Sequence, residues 1–82
     1  MTDTELRSYR RKHRNRAIGA LMAAHSGMSK ESAERWIDVV RAYDDVGRSR
    51  NNFITNHAPP LLGEKAWDVY QQTKNKLSAV LA

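Results

Sequence analysis

The sequence predicts an all-α protein, a compact bundle of three main helices plus a short irregular or helical segment near 49-57. Apolar residues recur at helical spacing over three long stretches. Gly27 and Gly47 each follow one of these stretches, and Pro59-Pro60 precedes the third. Glycine is typical just after a helix, and proline is typical at its first position. The expected helices span about 3-25, 29-46 and 61-81, within a single domain over residues 1-82.

The first predicted helix begins at a capping box, because Glu5 follows Thr2 by three residues. Gly27 is expected to end this helix as a left-handed C-terminal cap. The second half of the helix, residues 17–24, is apolar nearly all round, as in a central helix. The first half is basic on most faces, so we expect it to lie along the edge of the bundle or to project beyond it. The residues recurring on one face are Leu6, Tyr9, His13, Ala17, Ala20, Leu21 and Ala24.

The second predicted helix begins after Ser29, a residue type favoured at N-caps, and ends before Gly47. Between this helix and the prolines, Ser49 is suited to cap a short turn of helix that directs Phe53 and Ile54 toward the core. The buried stripe expected for the second helix is Ala33, Trp36, Ile37, Val40 and Tyr43.

The third predicted helix has Pro60 as its first residue, because Pro60 keeps Pro59 out of helical geometry. Trp67 lies about 100° from the centre of the apolar stripe of this helix, and Lys74 lies near it. Since Trp is enriched at binding hot spots, Trp67 and Lys74 are candidate protein-interface residues. The alternative is that Trp67 packs under the 48–60 segment. The expected stripe is Leu62, Ala66, Val69, Tyr70, Thr73, Leu77, Val80 and Leu81.

The positive charge is concentrated at one end of the chain. Six of the ten residues from Arg7 to Arg16 are Arg or Lys. Residues 1–30 carry seven positive and two negative charges, whereas residues 31–82 carry seven of each, so the first segment holds the whole net charge of +5. Such a field attracts a polyanion or an acidic protein before any contact forms.

The basic half of the first helix carries guanidinium groups, whose planar fork suits phosphate. A helix of this kind fits the major groove of B-DNA, and arginine-rich helices also bind structured RNA. Asn15 and His13 are positioned to add base or sugar contacts. The alternative is a solvated face that keeps the protein soluble. The predicted phosphate contacts are Arg7, Arg10, Arg11, Lys12, Arg14 and Arg16.

Residues 21–37 resemble the helix-turn-helix of DNA-binding regulators. Ala23 stands where that motif has a small residue at the helix crossing, followed by the turn residue Gly27, the apolar Met28 and the small polar Ser29. The resemblance implies that the helix after the turn reads DNA and that Lys30 and Arg35 join the nucleic-acid contacts. Three carboxylates share that face, so an ordinary helical corner is the alternative. The residues that the resemblance directs to DNA are Ser29, Lys30, Glu31, Glu34, Arg35 and Asp38.

The sequence lacks the residues that several classes of function require. There is no Cys, so neither a disulfide nor a thiolate metal site is possible. His13, His25 and His57 are scattered, and no motif places a nucleophile beside a base or builds a glycine-rich phosphate loop. We therefore expect a non-enzymatic protein with no cofactor and no metal. No apolar run approaches the roughly 20 residues of a membrane span, so a cytoplasmic protein without a membrane partner is expected.

Two functions are consistent with these observations. The first is nucleic-acid binding, by a small DNA-binding regulator that uses its arginine-rich helix, with DNA favoured over RNA by the helix-turn-helix resemblance. The second is a protein-binding inhibitor or adaptor, of the kind that mobile elements often encode. It would dock on an acidic or nucleic-acid-binding surface of a larger complex. A homodimer is compatible with either function.

Overall fold

The computed structural model describes residues 2–56 and 61–81, which form four α-helices and no strand. This confirms the all-α prediction. The segment near 49-57, expected to be irregular or helical, is a regular helix of seven residues, so the architecture has four helices rather than three main helices plus a short segment. The helices are α1 (Asp3–Ala24), α2 (Lys30–Asp45), α3 (Arg50–Asn56) and α4 (Leu61–Leu81).

Hydroxyl side chains cap the first three helices at their N-termini. The Thr2 hydroxyl accepts a hydrogen bond from the Glu5 amide at 3.2 Å, and the Ser29 hydroxyl accepts one from the Ser32 amide at 3.2 Å. The Ser49 hydroxyl accepts a third from the amide of residue 52 at 3.3 Å. Each bond satisfies an amide that has no partner inside its helix, which fixes where the helix begins.

Two glycines with a positive φ lie near helix ends, and only one of them caps its helix. Gly47 has a φ of 74°, and its amide and that of Arg48 donate to carbonyls in the last turn of α2, as in a Schellman motif. Gly27 has a φ of 86°, as predicted, yet it is not the residue that caps α1. The cap is His25, and Gly27 is the third residue of a reverse turn closed by the Met28 amide and the His25 carbonyl.

The long helices form a bundle in which α1 runs antiparallel to α2 and α4. The start of α1 meets the end of α4, where the Tyr9 hydroxyl lies 3.1 Å from the Ser78 hydroxyl. The end of α1 meets the start of α4, where the Lys65 ammonium donates to the Ala24 carbonyl at 3.2 Å. The short α3 brings the chain back along the bundle, which makes α2 and α4 parallel.

The core lies where the three long helices and α3 meet. Its four largest fully buried side chains are Phe53, Leu21, Ile37 and Val40. The second half of α1 buries Ala17, Ile18 and Leu21 but exposes Gly19, Ala23 and Ala24. The apolar half of α1 therefore lies in the bundle, but α2 and α4 cover it on one side only, so it is not surrounded as a central helix would be. None of the helices in the described ranges has the length and apolar character needed to cross a membrane.

Trp67 is part of this core, which favours the packing alternative over its reading as a candidate interface residue. Its side chain is 7% exposed, and its ring centroid lies 5.4 Å from that of Phe53. The physical reason is α3, which packs on the flank of α4 and widens its buried face beyond the predicted stripe. The alternative, that Trp67 packs under the segment around residue 53, is confirmed for the part of that segment that the structure describes.

Candidate nucleic-acid interface

The basic half of α1 leaves most of its cations free. Of the six cations between residues 7 and 16, only Arg14 forms an ion pair with a described residue. The other five belong to side chains that are exposed along the helix. They are Arg7, Arg10, Arg11, Lys12 and Arg16. We name these five residues the free cations of α1.

Arg14 is held on the bundle by α2. Its guanidinium donates two hydrogen bonds to the carboxylate of Asp38, with the Nε–Oδ1 distance at 2.7 Å and the Nη2–Oδ2 distance at 3.1 Å. This hydrogen bond raises the pKa of the Arg14 guanidinium. Both side chains stay partly exposed, so the pair contributes at most about 1 kcal/mol to stability. Its larger consequence is that Arg14 and Asp38, each predicted to face nucleic acid, face each other.

The basic half of α1 lies along α4 and does not project beyond the bundle. His13 is 4% exposed, and its ring lies 4.2 Å from the Tyr70 ring, centroid to centroid. Its Nε2 donates a hydrogen bond to the Tyr70 carbonyl at 3.0 Å, because a carbonyl oxygen only accepts. The prediction that His13 contacts a base or sugar is therefore wrong, whereas Asn15 is exposed and remains a candidate.

The burial of His13 has a consequence for pH dependence. Burial lowers the pKa of His13 below 6.5, because removal from water disfavours the charged ring. The hydrogen bond to the Tyr70 carbonyl opposes this shift. Two further cations, Lys74 and Arg41, also lower this pKa, and Asp44 raises it. The folded protein therefore holds a neutral His13 in a pH range where the unfolded chain binds a proton.

The stability of the fold should accordingly fall as the pH is lowered through 6.5. Because the folded pKa of His13 is depressed, the unfolded state binds more protons between the folded pKa and 6.5, and unfolding becomes easier there. The variant His13→Phe keeps a ring against Tyr70 and removes the titrating group. Urea unfolding between pH 8 and pH 5 should show a shallower pH slope for this variant. Equal slopes would contradict the role given to His13.

A cleft opens between α1, α2 and α4 beside His13. It has a volume of about 200 Å³. Lys74 lines it and donates to the Asp44 carboxylate at 2.6 Å, while Arg41 lies 3.7 Å from Asp45. Burial would raise the pKa of Asp44, but the hydrogen bonds from Lys74 and Gln71 outweigh burial and lower it. The cleft is thus largely neutralised from within, and Lys74, predicted at a protein interface, is engaged in the bundle.

The cations predicted on α2 lie apart from those on α1. Lys30 and Arg35 are exposed near the start of α2, which faces the apolar end of α1 in the antiparallel arrangement. Ala23, which the helix-turn-helix pattern places at the helix crossing, is exposed, whereas Ala17 and Ala33 are fully buried. The free cations of α1 therefore lie along one helix, with Arg10 at the edge of the cleft beside His13, and Lys30 and Arg35 lie apart from them.

The basic residues around α3 are engaged within the fold. The Arg50 guanidinium donates to Asp68 at 3.1 Å, and the Arg48 guanidinium lies 5.3 Å from the centroid of the Tyr43 ring. The Arg50 contact ties α3 to α4, and the Arg48 contact holds the connection between α2 and α3 against α2. They do not extend the surface of free cations on α1.

The sequence pattern did not identify Arg41, Asp44 and Tyr70 as a group, because they meet only when α2 and α4 pack side by side. His57 lies outside the described residues, and among those described no three His, Asp or Glu side chains are placed to hold a metal ion.

Comparison of the chain with models of protein families, with curated proteins and with solved structures finds no match.

Proposed function

We propose that this protein binds nucleic acid, with double-stranded DNA as the favoured partner, through the basic half of α1. The observation that carries the proposal is the exposure of the five free cations of α1 within ten residues, none of them in an ion pair with a described residue. Cations that are not engaged by the fold are available to phosphate oxygens. Four of the five are arginines, which bind phosphate through two parallel hydrogen bonds.

The spacing of the free cations favours a polyanion over simple solvation. Arg7 and Arg11 are four residues apart, and so are Lys12 and Arg16. Like charges at this spacing on a helix repel by roughly 0.2–0.5 kcal/mol a pair. A row of phosphates removes that repulsion and releases bound counterions, which is the main source of non-specific affinity for DNA.

The proposal places the contact on α1 rather than on α2. The exposed side of α2 carries Glu31 and Asp38, and Glu34 is only half-buried, so phosphate would meet carboxylates there. Single acids can read cytosine, but a group of three repels the backbone. The contribution of Lys30 and Arg35 then becomes electrostatic and secondary.

A titration at two salt concentrations tests the proposal. The purified protein is added to a fluorescently labelled mixed-sequence duplex and to a labelled RNA hairpin at about 50 and 200 mM salt. Four to five phosphate contacts predict a slope of log K against log salt of about −3.6 to −4.5 on DNA. A lack of binding to either ligand at 50 mM would refute the proposal. The basic face would then belong to the protein-binding alternative, an inhibitor or adaptor docked on an acidic surface.

Releasing Arg14 should strengthen binding. Asp38→Asn removes the carboxylate that holds Arg14 and removes one negative charge beside α1, so we expect a several-fold gain in DNA affinity and a salt slope steeper by about one. Asp68→Asn is the matched control, since Asp68 is equally exposed and holds Arg50 on the other side of the bundle. An equal gain in both variants would mean that only net charge matters.

A further inference from the structure

The outward side of α1 has a narrow strip of small polar residues between two rows of cations. With His13, Ala17 and Leu21 facing the bundle, a turn of 100° per residue puts Ser8 and Asn15 on the opposite side, and both are exposed. The two residues lie within about 20° of each other on the helix.

The cations flank this strip on both sides. Arg7 and Arg11 form one row, and Lys12 and Arg16 form the other. The rows are about 140° apart around the helix, with the strip near the middle, and each row spans about 6 Å along the axis. Farther along the same side, Gly19 adds no side chain, and an added Cβ there would meet nothing within 4 Å.

This profile fits the major groove of B-form DNA. A helix with its side chains is about 10–12 Å across, and the groove is about 12 Å wide. Small residues at the lowest point of the helix let its backbone approach the bases, while the two rows meet the phosphates on the two walls. The A-form major groove of double-stranded RNA is too deep and narrow for the same docking.

Building on the proposed function, we propose that the basic half of α1 enters the major groove of B-form DNA and that Asn15 reads a base edge there. Asn is the side chain whose amide pairs with adenine at N6 and N7. Ser8, about 10 Å away along the helix axis, is placed to bond a second base edge. The cation rows set the position of the helix, and the strip supplies the sequence preference.

Blocking one groove at a time tests the docking. The probes are a plain duplex, the same duplex with glucosylated hydroxymethylcytosine filling the major groove, and the plain duplex saturated with netropsin in the minor groove. We expect at least about tenfold weaker binding to the glucosylated duplex and little change with netropsin. Equal binding to plain and glucosylated duplexes would overturn the inference and leave the proposed function intact. Failure to bind the plain duplex would instead refute the proposed function.

A selection experiment tests the role of Asn15 separately. Duplexes are selected from a random pool by the wild-type protein, by Asn15→Ala and by the control Asn75→Ala, which changes an exposed Asn on α4. The wild type and the control should enrich adenine at one position, with a preference of about tenfold. Asn15→Ala should lose that preference and keep the salt slope. A preference that survives in Asn15→Ala would overturn the assignment of Asn15.

Discussion

Glutamine at Arg7, Arg11, Lys12 and Arg16 together should reduce DNA affinity by at least about a hundredfold at 100 mM salt. Each lost phosphate contact removes about 0.9 from the salt slope, so the slope should fall by about 3.6. The fold should not suffer, because none of the four is ion-paired with a described residue and two repelling pairs disappear. The unfolding temperature should stay the same or rise. Fluorescence anisotropy and thermal unfolding measure the two effects.

The control variant has the same change in net charge as the α1 variant, but at four positions outside α1. Lys30, Arg35, Arg48 and Lys76 are exposed, form no ion pair with a described residue and lie outside α1. Glutamine at these four positions should weaken DNA binding less than about fivefold, because only the general field is reduced. If the control loses as much affinity as the α1 variant, the binding depends on total charge and α1 is not the contact surface.

Trp67→Ala should destabilise the fold by about 3–5 kcal/mol. A domain of this size has a total stability of about 4–12 kcal/mol, so this change removes a large part of it. The reason is the aromatic cluster in which Phe53 lies 5.4 Å from Trp67 and 5.5 Å from Tyr43, between ring centroids. Urea unfolding measures the loss.

The control for Trp67→Ala is a substitution at the protein surface. Val46 is 69% exposed at the end of α2, and Val46→Ala should change stability by no more than about 0.5 kcal/mol. Near-native stability of Trp67→Ala would contradict the packing described for α3 and α4. It would also return Trp67 to the list of interface candidates.

The helix boundaries were predictable because they depend on local chemistry. Thr2, Ser29 and Ser49 cap helices through bonds to amides three residues ahead, and Gly47 adopts a conformation that favours glycine. Such bonds involve only near neighbours in the chain. A sequence pattern therefore suffices to locate them, within one or two residues.

The partners of individual side chains were not predictable, because they depend on how the helices pack. The side chains of Arg14 and Asp38 are 24 residues apart and meet through the register of α1 on α2. A helical wheel of α4 alone could not decide between the two readings of Trp67, because it does not include α3. For the candidate interface, the sequence pattern identified the six cations. Only the packing of the helices shows that Arg14 is ion-paired and that the other five are the free cations of α1.

Mapping the DNA contact by NMR shows which helix meets the duplex. A mixed-sequence duplex is titrated into the ¹⁵N-labelled protein, and the shifts of backbone amides, arginine Nε–H groups and the Asn15 side-chain amide are followed. We expect the largest changes in residues 7–19 of α1, including Asn15, and little change in α3 and the second half of α2. Changes centred on residues 30–35 of α2 or on α3 and α4, with α1 unaffected, would contradict this expectation.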